Sequence, residues 1–473
     1  MPLQAQPVGI PSMGAASSVE LSPVIERALG DAIMEQGRRD PSYINDPDVN
    51  QYLTEMGRRL VSHASGGAQH ISVFAVRDPQ INAFALPGGY IGVHSGLVVS
   101  SETESELASV VAHEIGHVLQ RHVARGMTQQ SKSNHIMLAS LAAALLAGLS
   151  GSGDLAMGVA TFGQAAAIDQ QLGFSRHAEQ EADRIGFEMM RKAGFDPRGM
   201  AHMFGQLMSA SRLNEGSGGG SYASTHPLSI QRMSDIENRV RDFPAMTHKD
   251  SNAFWYVRAK LRVIQARSNR AREAVASQLQ QEARQLSGVA QSAAWYGLAY
   301  QAWQSKDLAQ ATSALQSAQK NGLDSPEIAS LAVTLALKQG DGSEALTQAQ
   351  GAWSRWPGNQ GVALAVVSAL QNQARDKEAV AFLSQRIQQW PDLPRLHQLQ
   401  AQSYERLKQP VDARRAMAAY YEKVGALPTA VEQLQQARGM SKDFYIQSEL
   451  DTRIRTLKER LKSDRALLER FKS

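Results

Sequence analysis

Two histidines and a glutamate in the segment His113-Glu114-Ile115-Gly116-His117 have the types and spacing of a metal-dependent hydrolytic site. Residues four apart on an α-helix lie one above the other, so both imidazoles can point at one ion. Glu114 can take a proton from a water at that ion and later pass it to a leaving amine. The segment therefore predicts two zinc ligands, His113 and His117, and a catalytic base, Glu114.

The flanking residues predict that this segment is helical. Ser101 and Glu104 have the spacing of a capping box, and apolar residues follow at three- and four-residue intervals. We expect a helix that starts after Ser101, continues through His122 and frays near Gly126. The alternative is an amphipathic helix that carries two ordinary surface histidines.

A catalytic zinc takes three protein ligands and leaves a fourth position to water, so a third ligand must come from elsewhere in the chain. The best candidate region is residues 175–183, which opens a second helix. Its side chains of ligand type are His177, Glu179, Glu181 and Asp183. Spacing favours Glu179, because Asp183 lies one turn later on the same face and can accept a hydrogen bond from a ligand imidazole. The alternative is a solvated, charged helix start.

Three segments together resemble the HtpX-type and CAAX-prenyl-protease-type gluzincin metallopeptidases over residues 45–240. They are the His113–His117 motif, the run Glu179-x-x-x-Asp183-Arg-Ile-Gly, and the upstream run Asn82-Ala-Phe-Ala-Leu-Pro-Gly-Gly-Tyr-Ile. The resemblance implies one zinc ion per chain, with Glu179 as its third ligand and Glu114 as the catalytic base.

A later pair, His226-Pro227, also matches this family. In relatives with a periplasmic address this histidine approaches the metal and restrains the activity. The resemblance therefore makes His226 a candidate fourth, inhibitory ligand, whereas without the family it is a lone loop histidine. The Gly-rich run at residues 214–221 has the composition of a flexible linker and predicts that the His226 loop moves as a lid.

The run at residues 82–93 is expected to form two extended segments that turn at the Pro-Gly-Gly of residues 87–89. A strand beside a metal cleft can receive a substrate in extended form through its backbone groups. We therefore interpret Asn82, Ala83 and Phe84 as a candidate substrate-binding strand. The alternative is an ordinary hairpin that walls the core.

Composition limits the class of protein. The 473 residues are 43% hydrophobic, 20% charged and 6% aromatic, with a formal net charge of +4, which predicts a soluble, helix-rich protein of more than one domain. Lys and Arg are interspersed with Asp and Glu, which argues against nucleic acid as a partner. The chain contains no cysteine, so disulfides and thiolate ligands are excluded.

The first residues, Met1-Pro-Leu-Gln-Ala-Gln-Pro, lack the charged and apolar regions of a signal peptide. Either the chain is cytoplasmic or a signal peptide has been removed. The family resemblance favours the second, and with it the periplasm of a Gram-negative bacterium. Residues 1–21 are then expected to be a flexible N-terminus.

One apolar run, residues 136–149, is a candidate for contact with a membrane. Its 14 residues are fewer than the roughly 20 needed to cross a bilayer. The run therefore predicts a buried or interfacial helix, and the alternative is peripheral contact with a membrane.

Beyond about residue 250 the chain repeats with a spacing of 34 residues, the period of tetratricopeptide repeats. The small residues that mark this period are Ala311, Ala345, Ala379 and Ala413. We expect a solenoid of helix pairs, flanked by atypical helices at residues 253–285 and 429–470. Its concave surface can hold an extended or helical partner.

The predicted fold class is α+β, mostly α. Residues 22–249 are expected to form a gluzincin-type metalloprotease domain with a small sheet, followed by a tetratricopeptide-repeat α-solenoid at residues 250–473. This domain order resembles the periplasmic proteases of outer-membrane β-barrel assembly. The resemblance implies a zinc endopeptidase with a chaperone-like role, whose partners are unfolded or misassembled outer-membrane proteins and the barrel-assembly machinery. The alternative is a repeat-based chaperone or adaptor whose zinc site is structural or held closed.

Overall fold

The computed structural model describes residues 22–64, 70–128, 132–150, 162, 174–213, 221–241, 243, 248–320 and 324–470. Helices predominate in these ranges, and a three-stranded sheet accompanies them. The predicted class, α+β and mostly α, is confirmed. The expected flexible N-terminus (residues 1–21) and all but the last residue of the expected linker (residues 214–221) lie outside the described residues.

The first part of the chain carries the sheet and the helices that surround it. The helices are α1 (Pro23–Gly37), α2 (Pro47–Val61), α3 (Ser95–Ser100), α4 (Glu104–Leu119), α5 (His122–Thr128), α6 (Lys132–Ser150), α7 (Arg176–Lys192), α8 (Arg198–Leu213), α9 (Ser221–Thr225) and α10 (Ile230–Arg241). The strands are β1 (Ser72–Val76), β2 (Ala83–Leu86) and β3 (Tyr90–His94).

The sheet has the strand order β1-β3-β2, with β1 parallel and β2 antiparallel to β3. A single 3₁₀ turn, Pro87–Gly89, joins β2 to β3 where the sequence predicts a turn. Gly88 has a φ of 76° there, a left-handed conformation that glycine adopts without steric cost. β2 lies at an edge of the sheet, and α4 packs against it.

α4 begins two residues later than the sequence predicts. Its N-cap is Thr103, whose hydroxyl oxygen accepts a hydrogen bond from the Glu106 backbone N–H at 3.2 Å. The predicted cap, Ser101, instead donates its hydroxyl to the Leu97 carbonyl at 2.9 Å. The prediction was wrong because the preceding helix, α3, already uses the Ser101 side chain.

α4 also ends earlier than predicted, at Leu119. Arg121 has a left-handed backbone with a φ of 51°, so the helix cannot run on to His122. The chain starts a separate helix, α5, at His122. An ion pair between the Arg121 guanidinium and Glu26 of α1, at 2.9 Å, anchors the turn between the two helices.

α4 and α7 approach each other closely at two glycines. A Cβ atom on Gly116 would lie 2.9 Å from an α7 backbone carbon, and one on Gly186 would lie 3.1 Å from the His113 backbone nitrogen. A side chain at either position would force the helices apart, so glycine permits the contact. This contact matters because the two motif histidines lie on α4 and the predicted third ligand lies on α7.

The second part of the chain consists of successive helices. They are α11 (Asn252–Gln265), α12 (Asn269–Gln285), α13 (Gly288–Gln304), α14 (Leu308–Lys320), α15 (Pro326–Gln339), α16 (Gly342–Arg355), α17 (Gln360–Asn372), α18 (Asp376–Gln389), α19 (Pro394–Arg406), α20 (Pro410–Lys423), α21 (Leu427–Met440) and α22 (Phe444–Glu469). The four period-marking alanines are buried at the fourth residue of α14, α16, α18 and α20. The predicted solenoid of helix pairs is confirmed.

The solenoid packs against the first part of the chain. α2 lies against α11 and α17, while α1 and α6 lie against α22. One face of α11 belongs to the core of the first part, and another face belongs to the core of the repeats. Part of the solenoid surface is therefore covered by the chain's own helices.

Within the described ranges, no helix combines the length and the apolar character that a membrane span requires. α6 contains the apolar run at residues 136–149 and packs against α1, α21 and α22. Its side chains Leu141, Leu145 and Leu149 are buried. These contacts place one side of the run inside the protein.

Candidate metal centre

Four side chains from three separate segments converge between α4 and α7. They are His113 and His117 of α4, Glu179 of α7, and His226, which follows α9. One ligand-type atom from each side chain lies within 4.8 Å of all the others, and all four residues are buried. The structure thus brings together the three predicted zinc ligands and the candidate fourth ligand.

The distances between the facing atoms have the size of a tetrahedral metal site. His113 Nε2 lies 3.0 Å from His117 Nε2 and 3.3 Å from His226 Nδ1. Glu179 Oε1 lies 3.3 Å from His117 Nε2 and 3.1 Å from His226 Nδ1. Ligand atoms about 2.0–2.1 Å from a tetrahedral zinc are about 3.3–3.4 Å apart, so these spacings fit one zinc ion.

The hydrogen bonds around the cluster also favour a cation. His113 Nδ1 lies 2.9 Å from Asp183 Oδ1, and a carboxylate only accepts hydrogen bonds. His113 therefore donates from Nδ1 and presents the lone pair of Nε2 to His117 and Glu179. Lone pairs and a carboxylate that face one another in a buried site repel unless a positive charge lies between them.

The pKa shifts of His113 and Glu179 also show that the cluster favours positive charge. Burial lowers the pKa of His113, but the neighbouring carboxylates of Asp183 and Glu179 outweigh this effect and raise the pKa to about 10. Burial raises the pKa of Glu179, but the neighbouring imidazoles of His226, His113 and His117 hold that pKa well below its usual range. The donor set and its field therefore fit zinc.

Glu114 lies beside this cluster and is completely buried. Its Oε1 atom lies 3.4 Å from His226 Nε2, and neither carboxylate oxygen forms a hydrogen bond with the described part of the chain. Burial raises the pKa of Glu114. A buried carboxylate without a hydrogen-bond donor among the described residues can accept a proton, as a general base must.

Arg232 of α10 completes the site, although the sequence does not single it out. Its guanidinium donates to both oxygens of Asp183, at 2.7 and 2.8 Å, and lies 2.7 Å from Glu179 Oε2. It also donates to the carbonyl of Pro227 at 2.9 Å. The charge of Arg232 thus offsets two buried carboxylates. Other arginines share α10, so only the three-dimensional arrangement distinguishes this one.

His226 is fixed in the site by contacts on two sides. Its ring stacks on Tyr222, with centroids 4.4 Å apart and planes 24° apart, and on Phe174, with centroids 5.6 Å apart. Its backbone N–H donates to the Tyr222 carbonyl at 2.9 Å. Together with the hydrogen bond from Arg232 to Pro227, these contacts hold the histidine against the ligands.

The other ligand-type side chains at the start of α7 lie outside the cluster. His177 is exposed. Glu181 Oε2 instead lies 3.1 Å from Nε2 of His122, on the far side of His117. Of the alternatives that the sequence offers for the third ligand, the structure places Glu179 in the centre.

The predicted substrate strand is the edge strand β2. Its residues are buried, backbone included, as expected for a strand that walls the core. The Asn82 carbonyl accepts a hydrogen bond from the His94 N–H at 3.0 Å, so alternate residues pair with β3. The backbone groups of Ala83 and Ala85 therefore point away from β3. These groups make no ladder hydrogen bond to β3, but they are buried together with their side chains.

These features are typical of metallopeptidases: histidine and glutamate side chains of ligand type on two packed helices, a buried carboxylate beside them, and a small sheet with an edge strand next to α4. Residues 47–240 match the profile of peptidase family M48, and residues 336–403 match that of the tetratricopeptide repeat. The chain belongs to peptidase family M48.

Three relatives show how far the likeness extends. The β-barrel assembly-enhancing protease of Escherichia coli K12 is 35% identical over 308 residues, which are 65% of this chain and 62% of that protein. A Vibrio cholerae relative is 37% identical over 51% of this chain and 50% of its own length. The metalloprotease LoiP of E. coli K12 is 30% identical over 40% of this chain and 69% of its own length. The chain thus spans half to three fifths of the two longer relatives.

Proposed function

We propose that this protein is a zinc-dependent endopeptidase that acts in the assembly of outer-membrane β-barrel proteins. The observation that carries the proposal is the convergence of His113, His117 and Glu179, with the buried carboxylate of Glu114 beside them. A purely structural zinc site has no need for a base in this position.

In this proposal, His113, His117 and Glu179 hold one zinc ion per chain. Bound there, the zinc supplies Lewis-acid chemistry to a peptide carbonyl and to the attacking water. Glu114 accepts the proton of that water and later donates it to the leaving amine. Asp183 keeps the lone pair of His113 directed at the cluster, and Arg232 stabilises the negative charge of Asp183 and Glu179.

We also propose that His226 closes the resting site as a fourth ligand. Its Nδ1 atom faces the same point as the other ligand atoms, at 3.1 Å from Glu179 and 3.3 Å from His113. A fourth protein ligand occupies the position that a catalytic zinc leaves to water. Withdrawal of His226 would then open the site to substrate.

The edge strand β2 would hold the substrate in extended form. The backbone groups of Ala83 and Ala85 point away from β3, and α4, which carries Glu114, packs against this strand. Ala83 and Ala85 are buried in this structure, so a substrate would reach this edge only after the site opens. Addition of a peptide strand to a sheet edge uses backbone hydrogen bonds, so it accepts many sequences. That tolerance suits an enzyme that removes unfolded or misassembled proteins.

The proposed setting is the periplasm of a Gram-negative bacterium, with the barrel-assembly machinery as a partner. The names of the relatives support this setting, and the repeats support a partner, because helical repeats commonly bind other proteins. We propose residues 22–249 as the peptidase domain and residues 250–473 as the repeat domain, with α11 packed into both.

The second candidate function is a repeat-based chaperone or adaptor whose zinc site stays closed. The observation that favours it is the fourth ligand-type side chain, His226, since closed four-ligand sites are typical of structural zinc. Both descriptions apply to one molecule if the site opens only in the presence of a substrate.

Replacing Glu114 with Gln tests the proposed activity. We expect Glu114→Gln to bind zinc and fold normally but to lose casein cleavage by roughly 10²- to 10⁴-fold, because an amide cannot take the proton. The control is Glu102→Gln, which neutralises an exposed carboxylate just before α4 and should cleave like the parent protein. A Glu114→Gln protein that cleaves casein at the parent rate would refute the assignment.

A further inference from the structure

A chain of polar contacts leads from His117 to the protein surface, and neither the proposed ligands nor the proposed base accounts for it. His117 Nδ1, the ring nitrogen that faces away from the cluster, lies 2.9 Å from Nδ1 of His122. His122 Nε2 in turn lies 3.1 Å from Oε2 of Glu181. His122 is buried, whereas the Glu181 side chain is 42% exposed.

The backbone places His122 in this position. Arg121 adopts its left-handed conformation immediately before His122, and its guanidinium is held by Glu26 at 2.9 Å. Without that turn α4 would continue, and a residue five positions after His117 would lie about 140° away from it around the helix. The turn instead returns the imidazole of His122 to His117.

The hydrogen bonds fix where the protons lie. The Glu181 carboxylate only accepts, so a neutral His122 donates from Nε2 and presents a lone pair at Nδ1. His117 must then donate from its own Nδ1, which leaves its Nε2 without a proton and directed at His113 and Glu179. The opposite assignment would put an N–H of His117 into the ligand cluster, where it would block a metal ion.

We propose that His122 and Glu181 are positioning residues that hold His117 in its metal-binding tautomer and so raise the affinity of the chain for zinc. They do for His117 what Asp183 and Arg232 do for His113. The two supports differ in exposure, because Asp183 and Arg232 are buried while Glu181 reaches solvent. The inference rests on the proposed zinc site.

Two substitutions at residue 122 separate hydrogen bonding from packing. His122→Phe fills a similar volume but offers no acceptor to His117, so we expect the dissociation constant for zinc to rise about 10- to 100-fold. In His122→Gln the side-chain oxygen can accept from His117 while the amide N–H₂ donates to Glu181. We expect this variant to recover most of the affinity. The measurement is competition for zinc against a chromophoric chelator, on full-length protein.

Glu181→Ala provides the second test at a surface position, where misfolding is a smaller risk. We expect it to weaken zinc binding in the same direction as His122→Phe. The control is Glu188→Ala, which removes another half-exposed carboxylate from α7 and should bind zinc like the parent. The unfolding midpoint of each metal-free variant shows whether a change in affinity comes from lost stability.

The outcomes separate this inference from the proposed function. If folded His122→Phe and Glu181→Ala bind zinc within twofold of the parent, the positioning role is wrong while the zinc site stands. If His122→Gln loses as much affinity as His122→Phe, hydrogen bonding is not the cause and the inference also fails. A folded parent that binds no zinc would instead overturn the proposed function itself.

Discussion

The metal centre and the repeat solenoid are stabilised by different kinds of interaction. Around the centre, buried carboxylates are held by specific partners, as when Arg232 contacts both Asp183 and Glu179. In the solenoid, small apolar side chains such as Ala311 and Ala345 recur at equivalent helix positions and are fully buried. The centre therefore depends on individual atoms from distant segments, and the solenoid depends on repeated volumes from neighbouring helices.

The junction between the two regions resembles the centre more than the solenoid. Lys260 of α11 is buried between two carboxylates of the first part of the chain, 2.7 Å from Asp46 and 2.9 Å from Asp48. Glu104, at the start of α4, accepts hydrogen bonds from the backbone N–H and the hydroxyl of Ser251, just before α11. The solenoid is thus joined to the peptidase part through specific charged and polar contacts.

If the metal centre depends on specific charged contacts, the largest loss of stability is expected when Arg232 is replaced. Arg232→Met would leave Asp183 and Glu179 buried without their counter-charge, so we expect a loss of about 3–5 kcal/mol in the free energy of unfolding. The zinc content should fall as well, because Glu179 and the Asp183–His113 contact lose their support. Chemical denaturation and metal analysis provide the two measurements.

The matched control lies on the same helix. Arg239→Met removes a surface ion pair with Asp235 and should change the free energy of unfolding by about 1 kcal/mol or less. Equal denaturation midpoints for Arg232→Met and Arg239→Met would show that the centre does not depend on matched charges.

A change of volume should affect the solenoid and spare the centre. Ala311 is fully buried at a period-marking position of α14, so Ala311→Leu should cost about 1–3 kcal/mol through overpacking. Zinc content and casein cleavage below the unfolding transition should stay at the parent level. Ala309→Leu, two residues earlier at an exposed position, is the control and should be neutral. A loss of zinc in folded Ala311→Leu would contradict the separation of the two regions.

The smallest effect is expected at His226, whose proposed role is to regulate access to the metal centre. If His226 closes about nine tenths of the molecules at rest, His226→Ala should raise basal cleavage about tenfold with zinc retained. Initial rates on an unfolded model protein at saturating zinc measure this, and His177→Ala, at the exposed start of α7, is the control.

The opposite result at His226 would also be informative. A histidine near the metal can donate a hydrogen bond to the developing oxyanion, and its removal then lowers the rate. A lower rate for His226→Ala at unchanged zinc content would reject the inhibitory role and favour a catalytic one.

The same contrast explains what the sequence could predict. The solenoid could be predicted from a spacing of 34 residues, because each repeat carries the same pattern of small and apolar residues and therefore the same local packing. The cluster of His113, His117 and Glu179 was predicted because i, i+4 spacing and ligand chemistry are local properties, and family resemblance added His226.

Contacts between distant segments could not be predicted in this way. Nothing in the sequence of α10 marks Arg232, and the ion pair that anchors the left-handed turn at Arg121 joins residues 95 positions apart. The cap of α4 was misplaced because Ser101 bonds to the preceding helix, which was not predicted. α11 likewise divides its faces between two cores, a property that depends on both neighbours.

The most direct test of the central claim is the zinc content of the purified protein, prepared without added metal. We predict one zinc ion per folded chain, and its loss when His117 and Glu179 are both replaced by Ala, with the helical circular dichroism of the solenoid retained. A folded parent protein with all ligand residues intact that contains no zinc, and binds none when zinc is supplied, would contradict the account.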